Sequence, residues 1–128
     1  MSQIVSFYPQ FFRLFNTAII FSVYDIEYDV YLQGGSKPNE GNVMIKKSDY
    51  LGPICDDDWT QKQANVFCKQ FGFKKADKIR IGSYFGKMKS DYAFDKFKCD
   101  GQEQSLYDCK RYKRSHCGPF DGAGVVCI

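Results

Sequence analysis

The chain of 128 residues contains one histidine, one tryptophan and four prolines, and its six cysteines include no Cys-x-x-Cys pair. Zinc sites draw on closely spaced Cys and His ligands, so this usage disfavours a zinc fold. No Gly-x-Ser-x-Gly nucleophile setting occurs, and the lone imidazole, His116, adjoins a cysteine. Hydrolase-type nucleophilic catalysis therefore has little support, and a surface histidine is the simpler account of His116. The chain has no Asn-x-Ser/Thr sequon, no internal repeat and no low-complexity tract. It also lacks the run of about 20 apolar residues that a membrane helix needs, because Pro9, Arg13 and Asn16 interrupt the most apolar segment.

What is present is the composition of a folding chain. Hydrophobic residues make up 44%, aromatics 17% and charged residues 26%, enough for one domain with its own core. The net charge of +3 is mild, but its distribution is uneven. The front of the chain is acidic, whereas the stretch from Lys69 to Lys98 and the cluster Lys110, Arg111, Lys113 and Arg114 are basic. The cysteines, Cys55, Cys68, Cys99, Cys109, Cys117 and Cys127, all fall in the last 74 residues. An even count so widely spread implies three disulfides and an oxidising compartment. Bridges spanning on the order of 60 residues each contribute about 4 kcal/mol in the chain-entropy model. Sequence alone leaves 15 connectivities open, and it also admits an adaptor in which one cysteine pairs between chains.

An oxidised domain needs a route out of the cytosol. "LFNTAIIFSV", after Arg13, has the length and apolarity of a signal h-region, although the segment before it lacks a basic start. Residues 1–23 therefore read as a signal peptide, with an uncleaved anchor or a mis-assigned exon end as the alternatives. Residues 24–29 form an acidic linker and 30–128 the domain. Within it, "VYLQGG" reads as a strand ending in a glycine turn and "SKPNEG" as a loop. "NVMIKK" reads as a strand with Val43 and Ile45 inward, and "YLGPICDDD" as a third strand that Pro53 marks as an edge. The clearest helix starts at Thr60, with Gln63 completing a capping box, and stops at Gly72. Ala64, Phe67, Cys68 and Phe71 fall on one stripe of it. "SLYDC" reads as a helical turn and "GAGVVC" as a closing strand.

These stretches together resemble the scavenger receptor cysteine-rich domain. The likeness is carried by "VYLQGG" with "EGNVMI", "GPICDDDW", "ANVFCKQFGF", "GSYFG", "FDKFKCDGQEQSLYDC" and "HCGPFDGAGVVC", in family order from Val30 to Cys127. It implies an α+β fold, a curved antiparallel β-sheet cradling one α-helix. It also implies three disulfides of the six-cysteine subgroup: Cys55 with Cys117, Cys68 with Cys127, and Cys99 with Cys109. Members with eight cysteines carry two more, where this chain has Asn39 and Phe73.

The implied Cys55–Cys117 bridge would hold the two α-carbons about 5.5 Å apart and carry Asp121 toward Asp56 and Asp57. Clustered carboxylates repel unless a cation sits among them, and Ca²⁺ favours such oxygen donors. The family similarly uses a pair of Asp and a later acidic residue, usually Glu followed by Asp. Here those positions hold Asp121 and Gly122, which implies a weaker site. The competing reading places Asp57 and Asp58 as negative charge before a helix N-terminus. Asp95 and Glu103 match further acidic positions whose usual role is structural.

Lys74, Lys75, Lys110, Arg111, Lys113 and Arg114 are the candidate ligand-binding residues. They are either an ordinary solvated surface or a patch for polyanions such as sulfated glycans, through salt-sensitive electrostatics. Arg111 and Arg114 are the preferred contacts, because Arg pairs bidentately with sulfate and phosphate. The resemblance thus implies a non-catalytic, secreted or membrane-attached extracellular module that binds polyanions, glycans or proteins, with Ca²⁺ assisting. The alternative is a targeting domain of a larger secreted enzyme such as a lysyl-oxidase-like protein or a mosaic serine protease.

Overall fold

A computed structural model of the chain describes residues 4–5, 30–94, 96–112 and 116–128. In chain order its elements are β1 (Ile4–Val5), β2 (Val30–Gly34), β3 (Glu40–Lys47), β4 (Tyr50–Pro53), α1 (Gln61–Gln70), β5 (Ala76–Arg80), β6 (Lys96–Lys98), a 3-10 turn at Leu106–Asp108, β7 (Lys110–Tyr112) and β8 (Gly124–Cys127). Lys113, Arg114, Asp95 and all of the expected leader except Ile4 and Val5 lie outside the described residues. No helix among the described residues is long and apolar enough to cross a membrane.

The main sheet runs β1-β2-β3-β8-β5, and β4 pairs with β3. Every named strand pair is antiparallel, including β6 with β7 in a separate two-stranded ribbon. With β2 along one edge of β3, the other edge is divided: Glu40, Gly41 and Asn42 face β8, and Met44 to Lys47 face β4. The closing strand of the sequence is therefore an inner strand, held between β3 and β5. This arrangement overrides the simple alternation expected for β3. Val43 and Ile45 are fully buried as expected, but Asn42 and Met44 on the opposite face are buried as well.

Helix α1 packs Ala64, Phe67, Cys68 and Phe71 into the core, each fully buried, as its spacing predicts. Phe67 and Phe71 stack with centroids 5.4 Å apart, within the range where aromatic pairs attract beyond their buried area. The helix stops as expected at Gly72, whose φ is +107°. The Gly72 N–H donates to the Lys69 carbonyl and the Phe73 N–H to the Cys68 carbonyl at 2.8 Å, a Schellman closure. The N-terminus departs from the expected capping box, because the Thr60 hydroxyl does not cap the backbone. It accepts instead from Gln63 Nε2 at 3.0 Å. Gln63 is buried, and its side chain also donates to the Asp58 carbonyl and accepts the Cys99 N–H at 2.9 Å. The capping residue has become a tie between helix and ribbon.

The disulfides are Cys55–Cys117, Cys68–Cys127 and Cys99–Cys109, with α-carbons 6.0, 5.6 and 4.8 Å apart. No cysteine is free, so pairing of one cysteine between chains is overturned. Asn39 and Phe73 line one surface cleft. Asn39 Nδ2 donates to the Cys127 carbonyl at 2.8 Å. The Cys68–Cys127 bond joins α1 to β8 across 59 residues. Replacing both with Ala is expected to lower unfolding free energy by about 4 kcal/mol, measured by denaturant titration. A loss under about 1 kcal/mol would show that β8 docks without its staple.

Candidate functional site

After β4 the chain leaves the sheet and runs antiparallel to the segment before β8. The Ala123 N–H donates to the Ile54 carbonyl at 2.9 Å and the Asp56 N–H to the Asp121 carbonyl at 2.7 Å, and the Cys55–Cys117 bond lies in the same apposition. Residues 56–59 then turn, closed by the Trp59 N–H on the Asp56 carbonyl at 3.0 Å. Asp58 takes the left-handed conformation at φ +59°, which Asp tolerates better than most residues. Trp59 is buried, with Nε1 donating to the Gly124 carbonyl at 3.0 Å. The turn is thus fixed on both sides.

The three consecutive carboxylates consequently separate. Asp56 Oδ2 accepts the Gly82 N–H at 2.7 Å. Asp57 is exposed, and a carboxylate oxygen lies within 4.8 Å of the sulfurs of both Cys55 and Cys117. Asp58 turns toward Lys96, with Nζ 3.4 Å from Oδ2, a half-exposed pair of small energetic consequence. Asp121 Oδ2 accepts the Gly118 N–H at 2.7 Å.

The electrostatics join what the turn separates. Burial, together with the negative charges of Asp121 and Asp57, pushes the Asp56 carboxyl above its ordinary value, against the opposing Gly82 N–H. Tyr92 is pushed up to about 12 by burial and then by the Asp121 charge. Its hydroxyl donates to the Gly118 carbonyl at 2.6 Å. Asp56, Asp57 and Asp121 therefore share one field, as their sequence positions imply, although the trio does not gather within 4.8 Å of one another. Neither Tyr92 nor Gly82 was given a role at this site from sequence, although Gly82 opens the "GSYFG" stretch. Gly122 stands where an acidic residue is usual in the resembling family, and its environment shows why the replacement is tolerated. A Cβ there would meet Met88 Cγ and Ser83 Oγ at 3.1 Å, so any side chain would require those two to shift by a few tenths of an ångström.

Hard oxygen donors in a field that raises a carboxyl are chemically suited to a divalent cation. Asp56 and Asp121 offer carboxylate donors of the right type, each with Oδ2 already accepting a backbone N–H. Asp57 fits by type, with its present orientation toward the disulfide.

The basic candidates divide between two places. Lys110 and Arg111 are exposed on β7. Lys98 faces Lys110 across the ribbon, while Phe97 faces Arg111. The Arg111 guanidinium stands 5.7 Å from the ring centres of both Phe94 and Tyr107, and Lys47 Nζ stands 4.8 Å from that of Phe94. Lys98 and Lys47 were missed as members of the cluster, since only strand register and packing bring them there. Lys74 and Lys75 are exposed elsewhere, their N–H groups donating to the Ile128 carbonyl. Glu103 has a structural role, accepting the N–H groups of Asp100 and Gly101, the former holding its carboxyl below the ordinary value. His116 is exposed.

Residues 33–128 match the family model described as the scavenger receptor cysteine-rich domain. A scavenger receptor cysteine-rich domain superfamily protein of Patiria pectinifera is 36% identical over 101 residues, covering 77% of this chain and 9% of that protein. Lysyl oxidase homolog 3A of Danio rerio is 32% identical over 98 residues, covering 75% of this chain and 13% of that protein. The chain thus spans about a tenth of the length of these relatives. Among solved structures, the third such domain of murine neurotrypsin superposes with a TM-score of 0.69 at 39% identity, covering 73% of this chain and 90% of that one. The corresponding domain of mouse MARCO, in its dimeric form, gives 0.64 at 30% identity, with 70% and 87% covered.

The Asp56 shift predicts a pH dependence. An acid whose native pKa is raised binds its proton more tightly when folded, so its contribution to stability declines as pH rises through the carboxylate range. In EDTA, Asp56→Asn is expected to melt with the wild type near pH 3 and above it near pH 7, roughly bracketing the carboxylate titration. Equal melting temperatures at the higher pH would sink the proposed repulsion.

Proposed function

Because the chain belongs to the scavenger receptor cysteine-rich family, we propose that it is a non-catalytic extracellular binding module for polyanionic ligands, glycans or proteins. The observation that carries this reading is the ribbon. Lys98 and Lys110 stand directly opposite across β6 and β7, and like charges in that position are destabilising. Together with Arg111 they form no ion pair among the described residues. A surface that keeps such a repulsion is matched by a ligand that removes it. Sulfate or phosphate groups do so, with Arg111 held over two rings and its planar donors available for bidentate contact. Lys113 and Arg114 continue the same basic run in sequence, and Lys74 and Lys75 form a secondary basic point. The disulfides support an extracellular setting.

Calcium assists in this reading. Asp56 and Asp121 hold the ion and Asp57 completes the donor set, so that binding relieves the burial and the repulsion that together raise the Asp56 carboxyl. With Asp121 one methylene shorter than Glu and no acid at Gly122, affinity is low. A second reading, favoured by the likeness to lysyl oxidase homolog 3A, makes the chain a targeting domain of a larger secreted enzyme. A catalytic domain in the same polypeptide distinguishes it.

Heparin retention is expected to fall with rising salt. Lys110→Ala with Arg111→Ala should flatten the salt dependence by about one unit of log–log slope per charge removed. Retention independent of salt refutes the polyanion reading. Calorimetric titration with Ca²⁺ should give heat that is lost in Asp57→Ala, and a wild type without heat refutes the cation site.

A further inference from the structure

The cation reading uses Asp56, Asp57 and Asp121 and leaves Asp58, the last of three consecutive aspartates, without a role. Its place is nonetheless fixed from two sides. Asp58 sits at φ +59° just ahead of the buried Trp59, and its carbonyl accepts the Gln63 amide. The same Gln63 side chain accepts the N–H of Cys99, the residue after β6, at 2.9 Å. One buried amide thus ties the acidic turn to the ribbon, and Asp58 Oδ2 comes to lie 3.4 Å from Lys96 Nζ.

Lys96 belongs to the outer face of that ribbon. Phe97, between Lys96 and Lys98, is buried, so alternation along β6 turns both lysines the other way. Register places Tyr112 opposite Lys96 and Lys110 opposite Lys98, and directly opposed residues share a face. The Lys96 ammonium stands 5.5 Å from the Tyr112 ring centre. Lys96, Lys98, Lys110 and Tyr112 therefore form one continuous surface, with anchor points roughly 7 Å apart along a strand and about 5 Å apart across the ribbon.

The three cations of this surface are not equally available. Lys98 and Lys110 form no ion pair among the described residues, whereas Lys96 is engaged by Asp58. Asp58 and Lys98 also line the same cleft, of about 410 Å³, between the start of α1 and the ribbon, so an anion drawn to Lys98 meets the Asp58 carboxylate. The side chains of Lys96 and Asp58 are 36% and 54% exposed. Exposed pairs of this kind hold weakly and are screened by salt, and they exchange readily for a competing anion. A polyanion already held at Lys98 and Lys110 presents its next anionic group to Lys96 at high effective concentration.

We propose that Lys96, with Tyr112 beside it, is a third anion contact of the ribbon, and that Asp58 is its intramolecular competitor, masking Lys96 until a polyanion displaces the carboxylate. This rests on the polyanion reading of the ribbon and adds a threshold to it. A single anionic group leaves the Asp58–Lys96 pair closed, and a chain of several groups opens it.

The test is heparin affinity of the oxidised full chain in EDTA, measured across a range of salt for the wild type, Asp58→Asn, Lys96→Gln and the double variant. Asn accepts the left-handed conformation as Asp does, so the turn is retained, and Asp58→Gly, which suits positive φ, serves as a second variant. Circular dichroism confirms that each is folded. Asp58→Asn and Asp58→Gly should each bind heparin about two- to fivefold tighter, the range an exposed ion pair is worth, and steepen the log–log salt dependence by about one unit. In the Lys96→Gln background the same changes at Asp58 should give no gain. An equal gain with and without Lys96 overturns the proposal, because Asp58 then acts only as a distant charge on the whole ribbon. No gain from either Asp58 variant while the wild type is retained also overturns it and leaves the polyanion reading standing. Wild type and Asp58→Asn both unretained overturns the polyanion reading and the masking with it.

Discussion

The Asp56 N–H donating to the Asp121 carbonyl at 2.7 Å is the contact on which the functional end of the molecule depends. It aligns a segment that has just left β4 with one about to enter β8, and the Cys55–Cys117 bond ties the same two segments. From this one apposition follow the shared field of the carboxylates, the seating of Trp59 against Gly124 and the position of the loop that carries Phe120. Backbone hydrogen bonds sheltered from water are expensive to leave unmade, so this pairing is a rigid base for groups that otherwise repel one another.

The two charged regions are built on different physical terms. The acidic region is partly buried, and burial, with a smaller contribution from the neighbouring charges, raises Asp56 and Tyr92. The basic ribbon is exposed, and its charges are tolerated because water and salt screen them. Interactions at the first are short-ranged and strengthened by partial burial. Those at the second are long-ranged, weak per contact and responsive to ionic strength. One small domain thereby carries an acidic region and a basic ribbon, joined at their border by the Asp58–Lys96 pair.

Much of this was legible in the sequence. The helix could be read because four apolar residues on one stripe and a terminal Gly are local signals, and burial then agreed residue by residue. The disulfide pairing was legible only through resemblance, since spacing alone cannot choose among connectivities. Illegible features depended on long-range placement: β8 becomes an inner strand, so β3 is buried on both faces and loses its alternation. Gln63 looked like half of a capping box because capping is a local rule, whereas its amide is claimed by Asp58, Thr60 and Cys99 in the folded chain. Three adjacent aspartates appeared to be one cluster, but Asp58 at positive φ turns away to Lys96. Lys98 joined Lys110 only through ribbon register.

The inner position of β8 also bears on how the chain is made. Its partners β3 and β5 precede it in sequence by tens of residues, so they emerge first and wait with facing edges unpaired. During synthesis the Cys99–Cys109 loop, separated by 10 residues, closes with little entropic penalty, whereas Cys68 and Cys55 wait for partners 59 and 62 residues away. Until Cys127 arrives, the helix has a thiol in place of its tether and the sheet has a gap at its middle. A strand paired on both edges and tied to the helix in the finished domain is therefore the last of its strands to be made, and the growing chain must be kept from pairing its open edges with a neighbour until that strand is inserted.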